Sequence, residues 1–529
     1  SVTGSNYLVE TPQGRKFVID CGLFQGGRDM ERLNYEAWGY DPREISHLLL
    51  THAHIDHSGK IPKLVKDGFR GKIVCSPPTK ELCEIMLLDA AHVQQMDAEW
   101  KTKKKNRQGK KGVLPLYTTE DAAACMRYFQ ILELDVMEEI IPGVRIRLRN
   151  AGHILGSSII ELWIENGKGE CKIVFSGDLG RHDQIIVEAP DEIFDADNVF
   201  VESTYGNRSH RSFEESKAEL LEAIRFAVSH NEKVLIPAFA LERTQEILYL
   251  LGEFSRSGQL PNIPVFLDSP LAIKATEVFC RNKKYYDAAA RAIVEEGFDP
   301  FAMPNLKLTA STQESMDINQ LQGSAIIIAG NGMCTAGRIK HHLKHNLWRY
   351  GSSLIIVGFQ SEGSTGRQIV DGAKAVTIFG EKVAVRAKVF TIGGFSAHAD
   401  QTDLLAWISH FLSACKPSVY VVHGEPLSSS ALAQAITTKF GLVTTTPRRK
   451  DTLNLEKISA APSEAIVAQS AQVRSATFSL VDEFTANLEA LQRALDSDQI
   501  RLSPEETAKL ERLRQELGKT IPGAPSPDD

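Results

Sequence analysis

From Thr51 to Gly59 the chain reads Thr-His-Ala-His-Ile-Asp-His-Ser-Gly, which places His52, His54, Asp56 and His57 within six residues. The apolar run Leu48-Leu49-Leu50 leads into it. Such a run, followed by Thr and closed by Ser-Gly, predicts a buried strand that opens into a loop and then a helix. Neutral imidazoles and carboxylates are zinc ligands, and loop residues can converge where strand residues cannot. His52 and His54 stand two apart, so an extended backbone points both the same way. Asp56 and His57 then turn towards a second position. The plain alternative is a polar loop rich in histidine, and four donors at this density argue against it.

Two more donors stand in loops after strand-like segments, His153 in Asn150-Ala151-Gly152-His153 and Asp178 in Ser176-Gly177-Asp178. With them the donors divide into two centres. The first takes His52, His54 and His153, with Asp178 bridging; the second takes Asp56, His57, Asp178 and one further nitrogen left open here. A carboxylate suits the bridge because it has two oxygens. Two divalent ions about 3.5–4 Å apart lower the pKa of a shared water and clamp an in-line displacement at phosphorus.

Around these motifs, short strands at residues 5–9, 16–20, 144–148, 159–164, 172–175 and 198–201 end in loops that carry His, Asp or Glu, which suggests layered sheets converging on one site. From Phe213 helices alternate with strands at 233–237, 264–268, 325–329 and 354–357, implying an inserted parallel-sheet domain. Strands at 384–391 and 418–422 are read as returning to the first domain. The resulting division is 1–205 and 366–455 for the core, 206–365 for the insertion and 456–529 for a helical extension. In that extension Leu480, Phe484, Leu488, Leu491 and Leu495 recur at helical spacing, and Ser503-Pro504 starts another helix. A helical hairpin there would dock on the body or on a second copy, giving a homodimer.

A net charge of -7 excludes a globally basic nucleic-acid binder but not a basic groove. Between Trp100 and Gly112 lie seven cations and no acid, read as a solvated loop or an arm for a polyanion. The eight cysteines form no C-x-x-C pair, which favours reduced core thiols in a cytoplasmic protein. No apolar run approaches the roughly 20 residues of a membrane span. Gly330-Asn331-Gly332 lacks the Lys-Ser/Thr of a P-loop, which opposes an NTP site. Arg338, Lys340, His341, His342, Lys344 and His345 begin a basic helix that either meets phosphates or is a solvated face.

Together, His-x-His-x-Asp-His, the later Gly-His and Ser-Gly-Asp resemble the metallo-β-lactamase fold. Glu202 after a strand, His398 in Gly-Phe-Ser-Ala-His-Ala-Asp and His423 in Val-His-Gly-Glu resemble the three additional motifs of the β-CASP nucleases. The resemblance runs from Val2 to about Pro447 and leaves the tail uncovered. It implies an α/β fold, an αββα sandwich interrupted by a β-CASP domain, with the active site in the cleft between. It also implies that His423 is the remaining ligand of the second of two zinc ions. RNA-acting members carry His at this position, and the DNA-repair branch an apolar residue. Glu202 would orient His398, which protonates the leaving oxygen or steadies the phosphate. Ser396 would hold a phosphate oxygen, Asp56 would steer the proton of the attacking water, and Asp20 would support the zinc histidines.

The function so implied is hydrolysis of single-stranded RNA by a hydroxide held between two zinc ions, leaving 5′-phosphate and 3′-hydroxyl ends. Endonucleolytic and 5′-exonucleolytic members share these motifs. Thioester or lactam hydrolysis on the same core leaves the insertion, Glu202, His398 and His423 without a purpose. A DNA nuclease is opposed by His423, and a non-catalytic RNA-binding scaffold by the full ligand set.

Overall fold

The computed structural model describes residues 3–455, apart from Lys110, Lys168 and Phe359. The expected helical extension at 456–529, and the dimer built on it, lie outside the described residues.

Strand periodicity sets the layers. In a five-stranded sheet, Tyr7–Glu10 pairs antiparallel with Lys16–Ile19, and Ile45–Leu49, Lys72–Cys75 and Phe129–Ile131 follow in parallel. Phe17, Ile19, Leu49 and Val74 point to one face, where they pack with Ile146, Ile160, Ile173 and Phe175 of a seven-stranded sheet. Val18, Leu48 and Ile73 point to the other, onto Ile61, Leu64 and Leu82 of the helices Ile61–Lys66 and Pro77–Asn106. The seven-stranded sheet likewise turns Val174, Val199 and Val201 outward onto Leu404, Ile408 and Leu432 of the helices Gln401–Ser409 and Pro426–Phe440. The result is an αββα sandwich.

The insertion is a six-stranded, fully parallel sheet in the order Leu306–Leu308, Val265–Leu267, Ala325–Ala329, Lys233–Pro237, Ser353–Ile356, Lys388–Thr391. Its central strands are apolar on both faces, Ile326 and Ile328 on one side and Ile327 on the other, as parallel sheets covered by helices require. The segment 384–391, read as one returning strand, divides here. Glu381–Ala384 closes a hairpin with Ala375–Ile378, and the amides of Arg386 and Ala387 both donate to the Leu347 carbonyl and turn the chain. Lys388–Thr391 then adds an edge strand to the inserted sheet, which therefore extends past residue 365.

Two readings of charge also resolve. Lys101, Lys103, Lys104 and Lys105 belong to the thirty-residue helix Pro77–Asn106 rather than to a loop. Along the helix Ile339–Asn346 and its N-cap Arg338, two of the six basic residues face inward: Arg338 and His342 both bind the buried Asp268, each at 2.7 Å. All eight cysteines are free thiols. Among the described residues no helix is long and apolar enough to cross a membrane.

Candidate metal centre

The donors lie at or just beyond the carboxyl ends of strands. Asp20 follows Lys16–Ile19, His52 follows Ile45–Leu49, Asp178 follows Glu170–Phe175, Glu202 follows Asn198–Val201, and His423 follows Ser418–Val421. His398 comes from the loop after Lys388–Thr391 at the edge of the inserted sheet. Close backbone packing holds the strand-end loops together. A Cβ on Gly22 would stand 1.5 Å from the Asp56 carbonyl, and one on Gly180 would stand 1.8 Å from that of Gly152. Asp20 and His423 both adopt left-handed backbone, φ 56° and 46°. Such strain in non-glycine residues persists where surrounding structure enforces it.

Two donor sets converge on Asp178. Its Oδ2 faces His52 Nε2 at 3.6 Å and His153 Nε2 at 3.8 Å. His54 Nδ1 lies between those two rings, 3.2 Å from His52 Nε2 and 3.1 Å from His153 Nε2. On the other side Asp178 Oδ1 faces His57 Nε2 at 3.3 Å and His423 Nε2 at 3.5 Å, with Asp56 Oδ2 3.8 Å from His423 Nε2. Donors placed tetrahedrally about 2.0–2.1 Å from an ion stand roughly 3.3 Å from one another, close to these separations. The nitrogen left open for the second set is that of His423.

Neighbouring groups fix the tautomers. His153 Nδ1 faces the Ala397 carbonyl at 3.1 Å, so it carries the proton and donates. His57 Nδ1 donates to Asp20 Oδ2 at 2.7 Å. Asp20 also accepts from the Thr51 amide at 2.8 Å and from its hydroxyl at 2.9 Å. His52 Nδ1 stands 3.0 Å from Thr51 Oγ1, and His423 Nδ1 stands 2.8 Å from Ser5 Oγ. In each case the outer nitrogen is engaged and Nε2 is turned towards Asp178, the arrangement by which metal histidines are oriented.

The electrostatics fit a cation. Burial pushes His54 and His423 down to about 3, and His52 and His153 well below the ordinary imidazole value, so these four rings are neutral and able to donate a lone pair. Burial raises Asp56 to about 6. For His57 burial opposes the charged form, but Asp178 and Asp20 on either side outweigh it and raise the ring. His57 Nε2 and Asp178 Oδ1 are buried and neither makes a hydrogen bond. Asp20 and Glu202 already face His57 and His398, whereas the buried Asp178 carboxylate has no hydrogen bond at Oδ1, and buried charge needs a partner of opposite sign. Positive charge between His57, His423 and Asp178 satisfies both orphaned atoms. The donors present therefore fit divalent metal, with the two oxygens of Asp178 facing the two donor sets.

Beside this pair, His398 Nδ1 lies 3.1 Å from Glu202 Oε1 and 4.0 Å from Asp178 Oδ2. Burial opposes its charge, but Glu202 and then Asp178 outweigh burial and raise the ring to about 9. Glu202 is itself fixed by the amides of Leu179 (2.8 Å) and Thr204 (3.1 Å). Ser396 is half-buried two residues from His398, and its Oγ accepts from the His398 amide at 3.3 Å. All the proposed site residues thus meet in one region. Ser5, the Ala397 carbonyl and His210, whose Nε2 donates to the His398 carbonyl at 3.0 Å, escaped the sequence reading. Ser5 is 418 residues from its partner and has no local motif to betray it.

Comparison with known proteins gives three successive family matches: the metallo-beta-lactamase superfamily over residues 2–238, the Beta-Casp domain over 244–369, and the Zn-dependent metallo-hydrolase RNA specificity domain over 382–447. The chain is 37% identical to ribonuclease TTHA0252 of Thermus thermophilus over 435 residues, covering 82% of this chain and 93% of that protein. It is 33% identical to the transcription termination factor FttA of Thermococcus kodakarensis over 419 residues, 77% of this chain and 62% of that protein. For FttA of Methanocaldococcus jannaschii the identity is 29% over 457 residues, 85% of this chain and 69% of that one.

Proposed function

The chain belongs to the β-CASP family of metallo-β-lactamase-fold proteins, and from that premise we propose that it is a zinc-dependent ribonuclease acting on single-stranded RNA. The observation that carries the reading is Asp178, whose two oxygens address two separate sets of donors while His398 and Glu202 stand at their side. His52, His54, His153 and Asp178 would hold one zinc, and Asp56, His57, His423 and Asp178 the other. Bound there, the pair would lower the pKa of a water and neutralise charge on the scissile phosphate.

The chain's own residues do the rest. Asp56 accepts the proton of the attacking water, whose oxygen becomes part of the new 5′-phosphate. As the bond from phosphorus to the 3′ oxygen breaks, His398 gives its proton to that oxygen, leaving a 3′-hydroxyl. Glu202 holds the His398 ring in place and favours its protonated form. Ser396 and the loop it caps hold a non-bridging phosphate oxygen. His423, a nitrogen donor at the second set, supports RNA over DNA as substrate.

The test is digestion of matched 5′-labelled RNA and DNA strands by the zinc-loaded protein. Cleavage of RNA to products that a phosphatase can dephosphorylate at the new 5′ end is expected. Preferential cleavage of DNA, or new 5′-hydroxyl ends, would refute the proposal. Discrete internal fragments would mark an endonuclease and mononucleotides a 5′-exonuclease.

A further inference from the structure

The helix Pro77–Asn106 begins among the metal loops and ends far from them. At its start Ser76 Oγ and Thr79 Oγ1 both donate to the Gly156 carbonyl, at 2.5 and 2.9 Å, three residues from His153. At about 1.5 Å per residue its thirty residues span roughly 45 Å. Its buried residues stop at Ala98. Beyond that point Trp100 is 61% exposed, and Met96 just before is 55% exposed.

The exposed end carries six cations of the run, Lys101, Lys103, Lys104, Lys105, Arg107 and Lys111. Among the described residues only Lys101 has a carboxylate partner, Asp97 at 2.8 Å; Lys103, Lys104, Lys105, Arg107 and Lys111 are exposed and unpaired. The helix dipole favours cations in a last turn, which accounts for Lys103 to Lys105. It does not account for Lys111 beyond the C-cap Arg107, nor for the like charges four apart at Lys101/Lys105 and Lys103/Arg107, which oppose helix formation. The run is also held in shape: Thr102 Oγ1 accepts from the Val113 amide at 2.8 Å and donates to its carbonyl at 3.2 Å, folding the return segment back onto the helix. Lys104 Nζ stands 5.4 Å from the centre of the Trp100 ring. A solvated face needs neither an exposed indole nor an anchored return.

We propose that Trp100 to Lys105, with Arg107 and Lys111, form a docking arm that binds the phosphodiester backbone of RNA at a distance from the cleavage centre, with Trp100 stacking on a base. Closely spaced cations beside an exposed aromatic ring are the pairing that holds single-stranded nucleic acid without regard to sequence. The proposal rests on the ribonuclease reading above for the identity of the polyanion. Because the arm lies tens of ångströms from the metal loops, it gathers long RNAs and leaves short ones untouched.

The test compares K103Q/K104Q/K105Q/R107Q with R15Q/K374Q/K382Q/K439Q, a control that removes the same charge from exposed positions elsewhere. Binding of a thirty-nucleotide phosphorothioate RNA, chosen to suppress turnover, is followed by anisotropy across a salt series. Each lost phosphate contact on a single strand removes about 0.7 from the slope of log K against log salt, so the arm variant loses roughly 3. Its affinity near 0.15 M salt falls roughly 10- to 100-fold, Trp100→Ala lowers it at least about fivefold, and the control changes little. Cleavage of a six-nucleotide RNA is unchanged in the arm variant. Equal losses in both quadruple variants, or none in either, would overturn the arm. So would unaltered RNA binding accompanied by lost retention on anionic phospholipid vesicles, which would assign the cations to a membrane surface. If the unsubstituted protein cleaves no RNA, the ribonuclease reading fails while the binding comparison still decides the arm.

Discussion

Replacing Asp20 by Asn separates charge from shape at the support of the second donor set. Asp20 sits at φ 56°, a region that Asn tolerates about as well as Asp, so the backbone is not newly strained. The carboxylate accepts from three donors, His57 Nδ1 at 2.7 Å and the amide and hydroxyl of Thr51 at 2.8 and 2.9 Å. An amide has one accepting end. If its oxygen stays with the Thr51 amide, its nitrogen faces His57 Nδ1, and the ring must accept there and carry its proton on Nε2, aimed at Asp178 and useless as a ligand. If the oxygen instead serves His57, two N–H groups confront each other at Thr51 in a buried site, a cost of about 1–3 kcal/mol. Keeping His57 in its ligand tautomer therefore weakens the second ion by about 5- to 150-fold, in line with the roughly 10- to 100-fold typical of outer partners of metal ligands. Of the first set only His52 reaches Asp20, and only through the Thr51 hydroxyl 3.0 Å from its Nδ1; His54 and His153 do not. Zinc titration against a chromophoric chelator is expected to resolve one site of ordinary affinity and one weakened by this factor. Two unchanged sites, or two equally weakened, would refute the tautomer argument.

His398→Ala should slow RNA cleavage by at least about 100-fold while zinc content by elemental analysis stays at the unsubstituted level; lost zinc would make His398 a ligand instead. Asp268→Ala removes the shared partner of Arg338 and His342 and should lower stability by about 3–5 kcal/mol in urea unfolding, with zinc retained. Although burial opposes its charge, hydrogen bonds from His342, Ser315 and Arg338 hold Asp268 down to about 2, below the ordinary value of 3.8. Its contribution is therefore present above about pH 4 and fades as pH falls towards 2, and unfolding curves of wild type and variant should converge across that window. Stripping metal with a chelator should lower the unfolding temperature, because an ion at about 100 times its Kd stabilises the folded state by about 2.7 kcal/mol; an unchanged temperature would mean that the donors hold their geometry unaided.

What could be read from residue order was whatever chemistry lies within a few positions. His52 to His57 announce themselves by density, and the strands Lys233–Pro237 and Ala325–Ala329 by short unbroken apolar runs, Val234 to Ile236 and Ala325 to Ala329. The edge strand Lys388–Thr391 was assigned to the wrong sheet because periodicity cannot say which neighbour a strand joins, and the turn that redirects it rests on the Leu347 carbonyl. The helix Pro270–Arg281 went unnoticed between stronger signals. Arg338 and His342 looked like surface cations because Asp268, which draws them inward, is some seventy residues away.

The bond between Ser5 and His423 joins residues 418 apart, and that between Ala397 and His153 joins residues 244 apart. A nascent chain leaves the ribosome at about 5–20 residues per second. His52 and His54 therefore wait roughly 20 to 75 seconds before Ala397, which orients His153, and His423, the last of the donors, have emerged. During that interval a half-made cluster of imidazoles and carboxylates is open to whatever metal the cell offers, and the second donor set is complete only once His423 has emerged.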